Sequence, residues 1–359
     1  MRPGLFVWAV LMAMPTVAAQ GAADDLSTFT KVPFPPDAAR PMEISVGMIL
    51  VDFARINARE ESFDISGYLS LSWKVPSLAG KGRRRMLRDD LWAPNIDFVN
   101  ALEPVRLQNE VAFHVEDDGT VEERIRFSGR FATLLNLRRF PFDEQHLDVL
   151  IEPFERSVDD VVFRVEPKRV GRYETAFLSD WDILGVRARV STNRQSTLDE
   201  TRPRFVWTID VKRKSTFYLW RVLTPLILLV VASWGIYWVD PAQLQPQIST
   251  AVAILLSIVV FNMTIDFALP KVAYLTFIDS HALLSYFFML SSIEIVIRIH
   301  HRLNVRGIEA ARRLQRRARV LFPVAYVLAF AIEATFFLAM AGHEKAAEPV
   351  ALPPAVRVR

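Results

Sequence analysis

The side chains best placed for chemistry in this sequence are polar groups inside an otherwise uncharged stretch. Residues 241–265 carry no charge, yet serines, threonines and an asparagine interrupt them. Positions three or four apart share one face of a helix. One such face would carry Ser249, Ala253, Leu256, Val260, Met263, Thr264 and Phe267. A stripe of this kind either lines a water-filled path or forms a helix-packing seam, and the residues alone leave both interpretations open.

A second signal is an aromatic residue on the polar face of a predicted strand. Apolar and polar residues alternate from position 63 to position 73, and Tyr68 is the aromatic among the polar positions. This period of two predicts a strand with one buried and one wet face. We expect Tyr68 to pack against a neighbouring subunit or to contact a ligand.

Enzymatic chemistry finds little support in the sequence. The chain has no cysteine, which excludes a thiol nucleophile, a disulfide framework and a zinc ribbon. His300 and His301 lack a carboxylate or thiol at ligand spacing, and no glycine-rich phosphate loop is present. We therefore expect no enzyme activity, no metal and no cofactor. The net charge of +3 gives no reason to expect a nucleic-acid partner.

These residues are divided between two kinds of element. Residues 40–214 are predicted to form short strands, and Asp118-Gly119 marks a tight hairpin turn between two of them. Strands at short intervals with no amphipathic helix predict a β-sandwich. Within 215–341, four apolar segments (about 217–239, 246–267, 272–299 and 318–341) are each long enough to cross a bilayer as a helix. The predicted fold class is a β-sandwich domain followed by a four-helix transmembrane domain.

The charge distribution and the N-terminus predict an orientation. Residues 1–20 combine a basic start, a short apolar run and small residues, which is typical of a secretory signal peptide. Eight arginines between Arg298 and Arg319 mark the cytoplasmic side of the helices. We expect a multi-pass protein of the inner (plasma) membrane. Its sandwich and its C-terminal tail, 342–359, would lie in the periplasm.

Two motifs carry a family resemblance. The run Phe140–Gln145 (FPFDEQ) and the stretch Trp92–Asn95, in register with four helices, resemble the pentameric ligand-gated ion channels, or Cys-loop receptors. The resemblance covers roughly residues 41–341. Thr133 and Leu147 stand where animal members have their cysteine pair, so this sequence looks like the bacterial branch. Within that branch it is most similar to amine-gated members.

The resemblance implies a homopentamer that conducts ions through a central pore. It assigns the stripe from Ser249 to Phe267 to the pore lining. Five copies of Leu256, Val260 and Phe267 would form apolar rings that exclude water when they narrow.

Ion selectivity would depend on the ends of this helix. Five Asp266 carboxylates would ring the outer mouth, and Asp240 would add negative charge near the inner end. Gln245 stands near the position at which cation-selective relatives usually have a glutamate. Because rings of carboxylates favour cations, we expect a cation-conducting pore.

The resemblance also places the FPFDEQ loop against the membrane domain. It implies an ion pair between Asp143 and Arg213, although Arg213 alone would also suit a membrane interface. The full set expected to couple the two domains is Asp143, Arg213, Glu60, Phe140, Pro141, Phe142, Pro270 and Lys271.

The ligand pocket implied by the resemblance lies between subunits. Tyr68 would face Phe154, and Glu152 on the same strand end would attract a cationic amine. Phe98 and Asn100 complete the expected ligand-binding set. The competing interpretation is that Tyr68 and Phe154 only pack against their neighbours.

The expected function is a channel that an extracellular ligand opens. Its partners would be identical subunits, a small-molecule agonist of the amine class, permeant ions and membrane lipids. The alternative is a membrane-anchored periplasmic sensor without a pore. A sensor would need a cytoplasmic output domain, and the 22-residue link from Arg298 to Arg319 leaves no room for one.

Overall fold

The computed structural model describes residues 32–109, 112–195, 200–266 and 274–346. The predicted signal peptide and the tail beyond Ala346 lie outside these ranges. The described residues form strands up to Arg213 and helices from Thr216 onwards. The predicted fold class, a β-sandwich followed by a four-helix transmembrane domain, is therefore confirmed.

The described residues of the N-terminal domain form two sheets. The strands are β1 (Met42–Asn57), β2 (Ser62–Lys74), β3 (Arg84–Leu87), β4 (Ile96–Phe98), β5 (Arg106–Asn109), β6 (Ala112–Val115), β7 (Thr120–Ala132), β8 (Glu144–Pro153), β9 (Val161–Val165), β10 (Gly171–Arg172), β11 (Trp181–Gln195) and β12 (Glu200–Arg213). The larger sheet has the strand order β10-β1-β2-β7-β6-β3, with β9 beside β1 and β5 beside β7, and the smaller has the order β11-β12-β8-β4.

The core lies between these sheets because their apolar residues alternate. In β2, the apolar residues predicted to face inward are all buried, whereas Tyr68 is half-buried on the opposite face. The predicted hairpin at Asp118-Gly119 joins β6 to β7. Gly119 has a φ of +82°, and a Cβ there would lie 2.6 Å from the carbonyl oxygen of Val75. The turn therefore requires glycine.

Among the described residues, four helices follow that are each long and apolar enough to cross a membrane. They are α1 (Thr216–Trp238), α2 (Leu244–Asp266), α3 (Phe277–Arg306) and α4 (Ile308–Ala346). In α1, a π turn over Leu219–Leu223 precedes Pro225, which has no N–H for the helical ladder. Buried apolar residues of all four helices form one cluster.

The bounds of α3 and α4 differ from the sequence prediction. The helix predicted from 272 begins at Phe277, where the side chains of Thr276 and Asp279 form a capping box. The arginine-rich link is helical, because α3 continues to Arg306 and α4 begins at Ile308. Gly307 alone separates them, with a φ of +79° that ends α3. Arginine, leucine and alanine favour helix, so the low hydropathy of this link marks the end of the apolar segments but not the end of the helices.

Candidate functional site

A buried ion pair lies at the base of the sandwich, where β12 leads into the first membrane helix. Arg213, at the end of β12, donates from Nε to Oδ1 of Asp143 over 2.7 Å and from a terminal nitrogen to Oδ2 over 3.1 Å. The two side chains are 4% and 1% exposed. Gln145 also donates to Oδ2 of Asp143 over 2.7 Å, so each carboxylate oxygen is satisfied. This bidentate geometry fixes both the distance and the orientation of the pair.

Aromatic rings enclose the Arg213 guanidinium. Its carbon lies 4.0 Å from the ring centre of Trp181, 4.9 Å from that of Phe140 and 5.6 Å from that of Tyr218. Trp181 lies opposite Arg213 in the β11–β12 ladder, and Tyr218 belongs to the first turn of α1. A guanidinium packed on ring faces in a dry environment gains cation–π attraction. Side chains from α1, β11 and the FPFDEQ loop therefore all contact the Arg213 guanidinium.

The FPFDEQ loop and the residues just before it make a second contact with the membrane domain. The hydroxyl of Tyr274, just before α3, accepts a 2.9 Å hydrogen bond from the backbone N–H of Leu137. Arg138 stacks over the Tyr274 ring at 5.0 Å, and Phe142 lies 6.1 Å from Phe277, the first residue of α3. The loop thus touches the entry points of both α1 and α3.

Glu60 and two residues outside the described ranges complete the set expected at this junction. Glu60 is 4.0 Å from Arg130 on the neighbouring strand, within the sandwich. Pro270 and Lys271 lie outside the described residues. Their roles in coupling stay predictions.

The helix α2 has one packing face and one open face. Gln247, Ala251 and Ile258 are buried against the other helices. The predicted stripe lies on the opposite side of α2 and is open in the single chain; its described members are Ser249, Ala253, Leu256, Val260 and Met263. More than half of the Leu256 and Val260 surface is exposed. The stripe is therefore not the seam that packs α2 within its own subunit.

The ends of α2 are less fully described. The described part of α2 runs to Asp266, but the side chains of Thr264 and Asp266 and the whole of Phe267 lie outside the description. At the other end, Asp240 caps a turn by accepting from the N–H of Ala242 over 2.8 Å, and Gln245 donates to the Ser249 hydroxyl over 3.5 Å. Both ends stay candidates for selectivity.

The residues expected to bind ligand are not brought together within one chain. Phe98 is buried among Phe127 and Phe131. The Asn100 side chain bridges backbone groups of Ala132, Asp148 and Leu150. Both residues therefore have structural contacts that the sequence did not reveal.

The other three expected ligand residues are divided between the two sheets. Glu152 is buried and accepts a 2.6 Å hydrogen bond from Arg204. Phe154 is half-exposed at the end of β8, whereas Tyr68 lies on the larger sheet beside Tyr173, with 6.5 Å between ring centres. A contact between Tyr68 and Phe154 would require a second subunit.

Sequence reasoning missed the basic residues beside Tyr68. Arg126 is the direct partner of Tyr68 in the β2–β7 ladder, and Arg124 pairs with Ser70. The signal was present, because Arg124 and Arg126 occupy alternate positions on the strand that follows the Asp118-Gly119 turn. Pairing these two alternating strands in sequence would have placed Arg124 and Arg126 on the same sheet face as Tyr68.

Comparison with known proteins identifies a family. Residues 23–215 match the family model described as the neurotransmitter-gated ion-channel ligand binding domain. The "Proton-gated ion channel" of Gloeobacter violaceus is 30% identical over 314 residues, which cover 85% of this chain and 86% of that protein. "pH-sensitive chloride channel 2" of Anopheles gambiae is 28% identical, covering 53% of this chain and 32% of that channel. "Gamma-aminobutyric acid receptor subunit beta-like" of Drosophila melanogaster is 21% identical, covering 72% of this chain and 56% of that subunit.

Proposed function

This chain belongs to the neurotransmitter-gated ion-channel family, in its bacterial pentameric ligand-gated branch, and we propose that five copies assemble around a pore lined by the open face of α2. The observation that carries this proposal is the division of α2 into two faces. Ile258 packs inside the subunit, whereas Leu256 and Val260 point away from it. In a closed ring of subunits, such a face can lie along the central axis, where it contacts neither lipid nor the core of its own subunit.

The pore would close by excluding water. The open face is small and polar near Ser249 and apolar at Leu256 and Val260. Five-fold rings of leucine and valine form a hydrophobic constriction that loses its water when it narrows, and ions cannot pass without water.

We assign cations as the permeant ions. Asp266 is the last described residue of α2, at the side nearer the sandwich, and Asp240 precedes the other end. Rings of five carboxylates attract cations and repel anions. The name of the mosquito relative refers to chloride, so the sign of the permeant ion needs direct measurement.

Opening would start from the sandwich. A stimulus that alters how the sandwich sits on the helices acts on the Asp143–Arg213 pair and on the Leu137–Tyr274 hydrogen bond. The stimulus shifts the closed–open equilibrium by the difference in its affinity for the two states. A small molecule is the first candidate for this stimulus. Protons are the second, because the name of the Gloeobacter relative describes it as proton-gated.

We place the protein in the bacterial inner membrane with its sandwich in the periplasm. Arg302, Arg306 and Arg313 are exposed where α3 and α4 meet, at the ends of the helices that lie away from the sandwich. Basic residues concentrate on the cytoplasmic side.

The test is electrical recording from the purified protein in planar bilayers, with a potassium chloride gradient across the membrane. Amines, carboxylates and a pH ramp are applied in turn. We expect stimulus-dependent currents whose reversal potential lies near that of potassium. In Asp266→Asn, the reversal potential should shift less far from zero towards that of potassium. A reversal potential near that of chloride would overturn the cation assignment. Silence from intact pentamers under every stimulus would overturn the channel.

A further inference from the structure

A short corner, residues 239–243, joins α1 to α2 at the end of the helices that lies away from the sandwich. The last residues of α1, Gly235–Trp238, form a 3-10 turn, and Val239 after them is extended. The last carbonyl groups of a helix have no partner within that helix. Where lipid and protein exclude water, such carbonyls need hydrogen bonds from elsewhere in the chain.

Two side chains of α4 supply hydrogen bonds at this corner. Nε2 of Gln315 donates to the carbonyl oxygen of Val239 over 2.6 Å. Nε of Arg319 donates to the carbonyl oxygen of Tyr237 over 2.8 Å, and its guanidinium carbon lies 5.2 Å from the ring centre of Trp238. The positive charge of Arg319 thus lies at the C-terminal end of α1, where the helix dipole is negative. Gln315 and Arg319 are one helical turn apart, so they share a face of α4.

The same corner is held from α2. Nε2 of Gln247 donates to the carbonyl oxygen of Val239 over 3.1 Å and to that of Asp240 over 3.3 Å. The Val239 carbonyl oxygen therefore accepts hydrogen bonds from α2 and α4 at once. Gln247 and Gln315 are both buried, which strengthens these bonds relative to bonds with water. One backbone oxygen thus connects the helix with the open face to a helix that carries none of the proposed pore-lining residues.

We propose that Gln315 and Arg319 are positioning residues that fix the inner end of the pore. This inference rests on the proposed function, because it concerns the helix proposed to line that pore. The corner is a tight turn, since the backbone N–H of Gln243 donates to the carbonyl oxygen of Asp240 over 2.9 Å. A displacement of Val239 is therefore passed on to the start of α2 at Leu244.

The residues that such a displacement would move are polar and exposed. Gln245 and Ser249 lie on the open face in the first turns of α2, and Gln245 donates to the Ser249 hydroxyl over 3.5 Å. With the corner held, five copies of each side chain form rings of one diameter. With the corner released, the rings take several positions, and the narrower ones limit the current. Loss of either α4 hydrogen bond therefore lowers the unitary conductance of an assembled channel.

Single-channel recording in planar bilayers and hydrogen–deuterium exchange in lipid nanodiscs, both on the full chain, test the proposal. Gln315→Leu and Arg319→Gln each remove one donor to the corner. We expect both to lower the unitary conductance at saturating stimulus. Both should also speed amide exchange in the corner about two- to ten-fold, the effect of losing one net hydrogen bond. Arg319→Lys keeps a donor without the planar stacking, so its conductance should fall between Arg319→Gln and wild type.

Arg317→Gln is the matched control for Arg319→Gln. Arg317 is an exposed arginine of α4, so this change removes the same charge and should leave both conductance and corner exchange unchanged. An equal loss of conductance in Arg317→Gln would overturn the proposal, because charge rather than the hydrogen bond would then set the current. Gel filtration checks that each variant is an intact pentamer. If the buried Gln315→Leu does not assemble, the half-buried Arg319 provides the same comparison.

The two measurements separate this inference from the channel itself. Unchanged conductance in both Gln315→Leu and Arg319→Gln, in a wild type that conducts, would overturn the positioning role and not the channel. This holds even if corner exchange rises, because a merely structural contact would alter exchange and stability but not the current through an open pore. Exchange needs no current, so faster corner exchange in a protein that never conducts would contradict the channel and not the hydrogen bonds.

Discussion

Arg213 and Asp143 form a bidentate ion pair that is almost completely buried, at 2.7 and 3.1 Å, where the sandwich meets the membrane helices. The chain has no cysteine to close the FPFDEQ loop covalently. This pair, the Gln145 hydrogen bond and the packing of Phe140 against Tyr218 hold the loop instead. Substitution of these residues therefore measures how much the contacts contribute to the stability of the loop.

Asp143→Asn should cost both stability and gating. The amide leaves the Arg213 guanidinium buried without its counter-charge, and removal of one partner of a buried pair costs about 3–5 kcal/mol. We expect a lower unfolding temperature and a much weaker response to stimulus in assembled pentamers. Glu144→Gln is the matched control, because Glu144 forms a more exposed pair with Lys212 at 3.2 Å. An exposed pair contributes about 0–1 kcal/mol. Equal effects of the two substitutions would contradict the role of Asp143.

Leu256→Ser should make the channel easier to open. A ring of hydroxyls holds water in the constriction, which removes part of the barrier that favours the closed pore. We expect currents at lower stimulus with little change in thermal stability, because Leu256 is exposed in the subunit. Ile258→Ala, two positions away on the buried face, should instead cost about 2–5 kcal/mol of stability. Unchanged gating in Leu256→Ser would show that the constriction is elsewhere.

The ion pairs of Glu122 have a predicted pH dependence, which Glu122→Gln measures. Oε1 of Glu122 accepts from Nε of Arg124 over 2.8 Å and lies 2.7 Å from a terminal nitrogen of Arg169. The pKa of Glu122 is lowered by folding, so its contribution to stability is complete above its ordinary value of 4.5 and disappears as the pH falls through the lower folded value. The difference in melting temperature between wild type and Glu122→Gln should therefore be constant near neutral pH and shrink on acidification below that value. A difference that persists in acid would mean that Glu122 is not held charged by its arginines.

Much of the architecture was predictable because it follows from local patterns. The alternation around Tyr68 predicted β2, the Asp118-Gly119 turn predicted the β6–β7 hairpin, and uncharged stretches predicted the membrane helices. The ion pair of Asp143 with Arg213 came from the family resemblance, because no local pattern connects residues 70 positions apart.

The contacts that the sequence did not reveal are long-range. Glu152 is neutralised by Arg204, and the Asn100 side chain is bound by backbone groups of β7 and β8. Strand pairing between distant segments brings these partners together. Residue types alone do not reveal such partners, so both side chains were predicted to be available to a ligand. The same pairing created the arginine cluster beside Tyr68.

The central claim is that the open face of α2 lines the pore, and the absence of cysteine makes it directly testable. Single cysteines are introduced at Ala253, Leu256 and Val260, with Ala251 and Ile258 as controls on the buried face of α2. A charged, membrane-impermeant thiol reagent is then applied to open channels during bilayer recording. We predict irreversible block at the first three positions and no block at the other two. Block at Ala251 and Ile258 with none at Leu256 and Val260 would contradict the account.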